Sequence, residues 1–498
     1  MGPKLAILLL FFAVTLGVGI YCRRHTTNIG DFVLGGRNVG AWLTAFSYGT
    51  SYFSAVVFVG YAGQFGWNFG VAATWIGLGN AFLGSMLPWV LLGRRTRVMT
   101  QHLEAATMPA FFARRYDSAP IKTASSLLIF IFLIPYSASV YKGLSQLFSM
   151  AFHVDFVWCM MAMAVLTAVY VIAGGYMATA INDLIQGVVM LAGIVMVVWA
   201  VLEGRGGFTA ALQQLSQVPS ELAPGMNGAL VSFFGPDPWN LLGVAVLTSL
   251  GTWGMPQMIH KFYTIRGESA IRAGTAISTV FALVIAGGSY FMGAFGRLYY
   301  TPGPEGIHFD SIVPQMLQST LSDLLIGASV VLVLSASMST LSSLVLTSSS
   351  TFALDFLGAA RREKTLGLRP VGLVRVLCGV FVALSVVLAL SPGALISSLM
   401  SISWGALAGA FLGPFLYGLF WKGATKASVW ASFVVSIAIT GGNMLFSFAS
   451  PINAGALAIV ASLAVVPAVS LISRRLPRAH VDQVFSCYGQ KGPSSGRV

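Results

Sequence analysis

Apolar runs of about twenty residues recur from one end of this chain to the other, and short gaps between them hold most of its charge. Coiled into a helix, such a run covers about 30 Å, the thickness of a bilayer's hydrocarbon. Lipid offers no partner to a backbone N–H or C=O, so an open chain crosses it only as helices. Composition agrees. Charged residues make up 9% of the 498, where a soluble domain carries about 25%. The 55 glycines suit close helix packing in lipid. The expected fold is therefore an all-α polytopic membrane protein.

Thirteen spans are expected, at about 4–22, 41–63, 71–92, 123–147, 154–173, 182–203, 238–260, 271–296, 323–353, 372–390, 394–419, 426–447 and 453–473. The formal charge of +13 lies in the gaps rather than on one soluble face, which excludes a nucleic-acid partner and favours the lipid bilayer. With the amino terminus outside, 24 of the 28 Lys and Arg residues fall on the cytoplasmic side. They include Arg23, Arg24, Arg37, Arg94, Arg95, Arg97, Lys261, Arg361, Arg362, Lys364, Arg369, Arg474, Lys491 and Arg497; Lys4, Lys142, Arg205 and Arg297 are the remainder. This bias sets the orientation in a plasma (inner) membrane, with the carboxyl terminus cytoplasmic. Lys4 and the apolar run after it mimic a signal peptide, but Arg23 and Arg24 follow without a small-residue cleavage site, so a retained span is expected. Cys22, Cys159, Cys378 and Cys487 have no pairing or zinc spacing and read as four unrelated thiols.

Three spans carry polar chemistry. The second contains Ser47-Tyr48-Gly49-Thr50-Ser51-Tyr52-Phe53-Ser54. Unwinding there would free carbonyls for a cation, while close packing of small residues explains the run equally well. The seventh contains Gly251-Thr252-Trp253-Gly254-Met255-Pro256-Gln257, where the proline removes an N–H and the glycines permit unusual backbone angles. Corresponding interruptions five spans apart point to a transporter's midplane site. Residues 41–203 and 238–419 then form two five-helix repeats, inverted because the repeat number is odd. Residues 1–40 hold a first helix and cytoplasmic loop, 204–237 an extracellular loop, 420–473 two peripheral helices and 474–498 a tail. The outer gaps 204–237 and 297–322, with Glu203, Glu221, Asp237, Glu305 and Asp310, hold either lid helices or solvated loops.

The ninth span reads Ser335-Ala336-Ser337-Met338-Ser339-Thr340-Leu341-Ser342-Ser343. The Ser339 and Thr340 hydroxyls and the Ala336 carbonyl are neutral hard oxygens, suited to a monovalent cation. Serines also bond back to their own helix, which is the alternative. Asp183 opens the sixth span as a helix-terminus charge or on a cation's path. Lys142, the one Lys or Arg deep in an expected span, either snorkels outward or meets an anionic solute.

At these residues the chain resembles the sodium:solute symporter family over nearly its whole length. Gly35-Gly36-Arg37, Tyr170-Val171-Ile172-Ala173-Gly174-Gly175-Tyr176-Met177-Ala178, Asn182-Asp183-Leu184-Ile185-Gln186-Gly187, Gly254-Met255-Pro256-Gln257 and Met338-Ser339-Thr340-Leu341-Ser342-Ser343 carry the likeness. The resemblance implies about 13 transmembrane helices around a leucine-transporter-type core of two inverted repeats, and Na⁺ as co-transported ion. It places Na⁺ on the carbonyls of Thr50, Phe53 and Ala336 and the hydroxyls of Ser339 and Thr340, with Asp183 on the sodium path. Tyr52, Tyr136, Tyr141, Lys142, Thr252, Trp253 and Gln257 are the candidate solute contacts. Proline permeases have an aspartate where Tyr52 stands; the Asn182-Asp183 pair is similar to pantothenate permeases. The expected function is Na⁺-coupled import of a small organic solute, an amino acid, monocarboxylate or pantothenate-like acid, by alternating access. The alternatives are a symporter of a sugar or other neutral solute, and a membrane sensor on a transporter fold, for which the tail after Arg474 is too short. No catalytic constellation points to an enzyme.

Overall fold

The computed structural model describes residues 2–23, 29–304, 306–358, 370–391 and 395–489. Arg24, Glu305, Arg361, Arg362, Lys364, Arg369, Lys491 and Arg497, used above in the charge and loop arguments, lie outside them.

The described chain is nearly all helical. In order it forms α1 (Gly2–Arg23), α2 (Ile29–Leu34), α3 (Ala41–Tyr52), α4 (Ala62–Phe69), α5 (Thr74–Ala81), α6 (Arg94–His102), α7 (Met108–Arg115), α8 (Ala119–Phe152), α9 (Phe156–Glu203) and α10 (Phe208–Ser216). The second part holds α11 (Pro238–Gly251), α12 (Pro256–Thr264), α13 (Glu268–Ala294), α14 (Phe309–Thr320), α15 (Asp323–Thr351), α16 (Pro370–Ala389), α17 (Ile396–Phe420), α18 (Lys426–Phe446), α19 (Pro451–Ile472) and α20 (Arg478–Phe485). Among the described residues nine helical stretches are long and apolar enough to cross a membrane. The expected thirteen is not reached by that measure, partly because the spans at 41–63 and 238–260 are each interrupted. The fifth and sixth expected spans are the two helical segments of α9, which meet at a sharp break at Gly175, whose φ 61° and ψ −162° are not helical. A side chain there would be strained by that angle and would meet the Phe32 ring at 2.8 Å. Both outer gaps hold helices, α10 and α14.

A helix that is apolar on every face belongs inside a bundle. The most apolar windows of α15 and α17 are 83% and 89% buried, against 33% for α16 and α18. So α15 and α17 are central, while α16 and α18 turn large side chains such as Val376, Val387, Val434 and Leu445 outward. The polar stripe of α15 is the bundle's interior, packed against α3, α8 and α9.

One backbone pairing ties the two halves together. Val39, just before α3, donates its N–H to Thr264 O (3.1 Å) and accepts from Arg266 N–H (2.9 Å), at the end of α12. Arg37 adds guanidinium bonds to Ala105 O (2.6 Å) and Tyr263 O (3.3 Å). The loop before one broken helix is thus clamped to the end of the other.

Candidate ion and solute site

Two interrupted helices end against the same buried indole, Trp404, the first at Tyr52 and the second at Gly251. α3 ends at Tyr52, and Phe53 is extended at φ −110°, ψ 118°. The helix resumes at Ala55 through a wide-turned segment, Val56–Tyr61. α11 ends at Gly251, residues 252–254 turn, and Met255 is extended (φ −75°, ψ 121°) before α12 starts with Pro256 in its first turn. Proline is well placed there, because a first-turn N–H has no helical partner to lose. Gly254 passes so near α17 that a Cβ would stand 2.8 Å from the Ala408 Cα and carbonyl oxygen.

Backbone groups released by the first interruption are met by α15. Ser339 donates its hydroxyl to Thr50 O (3.1 Å) and to Ala336 O (2.9 Å). Thr340 donates to Thr50 O (3.2 Å), Ala336 O (3.1 Å) and Ser51 O (3.4 Å). Ser337 accepts the Ala55 N–H at 3.3 Å. Four of the five oxygens expected to hold Na⁺, those of Thr50, Ala336, Ser339 and Thr340, are therefore gathered in one buried cluster. Phe53 lies at the break itself; the hydroxyl bonds across to α3 go to Thr50 and Ser51. The cluster contains only neutral oxygens, a donor set that matches a modestly hydrated monovalent cation.

The solute candidates divide. Tyr52 stacks on Trp404 of α17 (6.0 Å between ring centres), and Tyr136 of α8 meets the same indole edge-on at 5.9 Å. Tyr52 also donates its hydroxyl to Thr248 O at 2.6 Å, bracing the end of α11. Thr252 donates to Gly84 O and Ser249 O, both at 2.9 Å, and Trp253 donates its indole N–H to Leu83 O at 2.8 Å. These two polar groups are already used in packing. Gln257, one residue past Pro256, is buried with neither amide atom hydrogen-bonded among the described residues. Tyr141 is buried on α8, whereas Lys142 is half-buried and donates to Ser391 O at 3.4 Å. Neither is tied by a described contact to the Tyr52–Trp404–Tyr136 cluster.

Two residues escaped the sequence reading. Trp404 lies in the expected span 394–419, where an indole reads as ordinary core packing. Lys261 was counted with the cytoplasmic loop because the expected span ended at residue 260. It belongs to α12, its side chain is 3% exposed, and its ammonium lies 3.9 Å from the Asp183 carboxylate. Lys142 is therefore not the one deep basic residue. The signal was available: Lys261 is five residues beyond Pro256, within reach of a helix that restarts at that proline.

The profile of the sodium:solute symporter family matches residues 32–435. The sodium/proline symporter of Salmonella typhimurium is 26% identical over 445 residues, 87% of this chain and 86% of its own length. The osmoregulated proline transporter of Bacillus subtilis is 27% identical over 443 residues, 87% of this chain and 88% of its own. Among solved structures, a Na⁺-coupled sialic acid symporter in a substrate-bound outward-open state superposes with a TM-score of 0.74 at 16% identity, covering 96% of this chain and 99% of that one. MhsT in complex with L-phenylalanine gives a TM-score of 0.52 at 15% identity, covering 85% and 98%.

Proposed function

Because the chain belongs to the sodium:solute symporter family, and is thus a membrane transporter of leucine-transporter-type fold rather than an enzyme, with Na⁺ as its co-transported ion, we propose that it imports a small carboxylate-bearing solute, an amino acid first among the candidates. The observation that carries this reading is that the helix ends at both interruptions, Tyr52 and Gly251, lie against the Trp404 indole, with the unbonded amide of Gln257 in the first turn of α12. In the first turn of α12 Pro256 has no N–H and Met258 donates to Met255 O (3.1 Å), which leaves the Gln257 N–H to face an anionic group at the helix amino end. Tyr52, Trp404 and Tyr136 supply an apolar wall for the rest of the solute, and Gln257 a donor and an acceptor. Tyr141, Lys142, Thr252 and Trp253 act around this site rather than in it.

Na⁺ binds at Thr50, Phe53, Ala336, Ser339 and Thr340 in this reading, with Asp183 on its route. The ion joins α3 to α15, and the solute bridges the two interruptions, so both stabilise one closed arrangement. Each then raises the other's affinity. The distribution of Lys and Arg supports an amino terminus outside and a carboxyl terminus in the cytoplasm.

The names of the Salmonella and Bacillus relatives make L-proline the first solute to try, although Tyr52 occupies a position where proline permeases carry an aspartate. The test is uptake into proteoliposomes from a panel of amino acids, monocarboxylates, pantothenate and sugars under an inward Na⁺ gradient. We expect a carboxylate-bearing compound to accumulate, and not to accumulate in K⁺ buffer with an acid exterior. Uptake of sugars or polyols alone would overturn the solute class; equal uptake in K⁺ would overturn the coupling.

A further inference from the structure

α3 and α15 face each other with oxygens at two levels. The first is the Thr50–Ser339–Thr340 cluster. The second is one helical turn away on both helices: Ser47 lies three residues before Thr50, and Ser343 three residues after Thr340. Here the Lys261 ammonium donates to Ser47 Oγ (2.7 Å) and Ser343 Oγ (3.0 Å). Ser47 in turn donates to Asp183 Oδ2 at 2.5 Å, and the Ser51 and Ser343 hydroxyls bond at 2.7 Å. Every member is buried. The second carboxylate oxygen, Asp183 Oδ1, has no hydrogen-bond partner among the described residues.

A carboxylate among hydroxyls at this depth needs a cation, since an unpaired buried charge is strongly unfavourable. The oxygens around Lys261 are of the type an alkali-metal ion takes, with one negative charge to balance it. The Lys261–Asp183 separation of 3.9 Å is longer than a direct bond, and Ser47 bridges the two. The ammonium is thus held among the oxygens as an ion would be, rather than clasped by the carboxylate as in an ordinary ion pair.

We propose that Asp183, Ser47 and Ser343 form a second alkali-cation site whose occupant is built in: the ammonium of Lys261, delivered by α12. The protein then binds one Na⁺, at the first level, and carries the second cation covalently. This rests on the reading of the Ser339–Thr340 cluster as the Na⁺ site. Removing the ammonium while keeping Asp183 leaves a charged oxygen site open to a second Na⁺.

The test is equilibrium binding of ²²Na⁺ to the purified full-length protein, counted per chain. We expect one Na⁺ for the wild type and for Lys261→Arg, which keeps the charge. Lys261→Met is expected to bind two. Lys261→Met with Asp183→Asn should return to one. Lys261→Gln, with a polar side chain, serves where the Met variant does not elute as a monodisperse peak. In a Ser339→Ala/Thr340→Ala background the protein with Lys261 should bind Na⁺ at least about tenfold more weakly, and Lys261→Met should restore one ion bound in the wild-type concentration range. Two ions in the wild type, or no gain in either lysine variant, overturns the built-in cation. Unchanged binding in the Ser339→Ala/Thr340→Ala protein instead overturns the assignment of the first site.

Discussion

The two broken helices arrive at similar geometry from different causes. Between α11 and α12 the local sequence does most of the work: Gly251, Gly254 and Pro256 fall within six residues. Gly254 lets the turn press against the α17 backbone, and Pro256 starts the next helix. Between Tyr52 and Ala55 there is no glycine or proline at all. That interruption is held from outside, by Ser337, Ser339 and Thr340 of α15, which bond the freed N–H of Ala55 and the freed carbonyls of Thr50 and Ser51. In lipid a freed backbone group must find a protein partner, so a break without local signals needs a polar helix opposite it. In the proposed Na⁺ reading the α15 hydroxyls have two roles: they bond the groups freed at the break, and their oxygens would take the ion.

The largest effect expected from this contrast is at the α15 hydroxyls. Ser339→Ala with Thr340→Ala removes two oxygens and almost no volume. A hydrogen bond to a charged group is worth roughly 1.5–3 kcal/mol, and about 1.4 kcal/mol is tenfold in affinity. The Na⁺ concentration for half-maximal uptake should therefore rise at least about tenfold. Ser342 donates to Ser339 O on its own helix, so Ser342→Ala should shift it less than about twofold. Equal losses in both variants would mean that α15 needs hydroxyls only for packing.

Next is Gly254→Ala. Its Cβ would strike backbone of α17 rather than a side chain that can move aside, and overpacking of this kind costs about 1–3 kcal/mol. A lower melting temperature in detergent, with slowed uptake, is the expected result. Wild-type stability and transport would show that the second break has slack that the sequence did not require.

Ser337→Ala is expected to act more gently. It removes the acceptor for the Ala55 N–H, a neutral hydrogen bond worth about 1 kcal/mol, so half-saturation by Na⁺ should rise by a few-fold with little change in solute selectivity. No change at all would remove the case that α15 holds the first break open.

Pro256→Ala should be the mildest. The turn is kept by Gly251, Gly254 and the Val39–Thr264 clamp, and the proline contributes about 0.4–1 kcal/mol through the unfolded chain. Transport within a few-fold of wild type is expected. Loss of transport with intact folding would identify the proline as the residue that keeps α11 and α12 from joining.

Both interruptions were legible before any coordinates, the second from its glycines and proline and the first only as one of two readings. The partner helix shows which oxygens that run faces, and the Ser339→Ala/Thr340→Ala variant separates cation site from packing, because the same serine run serves either purpose. The break between the fifth and sixth spans was legible as well: Gly174-Gly175 reads as a turn, and Gly175 takes φ 61° and ψ −162° against the Phe32 ring, a backbone state that suits glycine. Trp404 was silent because an indole inside an apolar run looks like any other core residue; its role comes from having Tyr52 and Tyr136 beside it.

By itself the sequence determined that this is a helical membrane protein and which helix carries the run of hydroxyls, together with where one helix breaks. Hydropathy, proline and glycine act locally, and lipid permits few alternatives. Only the tertiary structure decided which oxygens face one another and where Lys261 belongs. A lysine one residue past an apolar run reads as a loop charge. Once α12 restarts at Pro256, the same lysine is turned inward onto Asp183, Ser47 and Ser343. These partners lie between 78 and 214 residues from it along the chain, counting from the numbering alone. A buried charge is tolerated only where the fold brings its partners, and no window of sequence contains them.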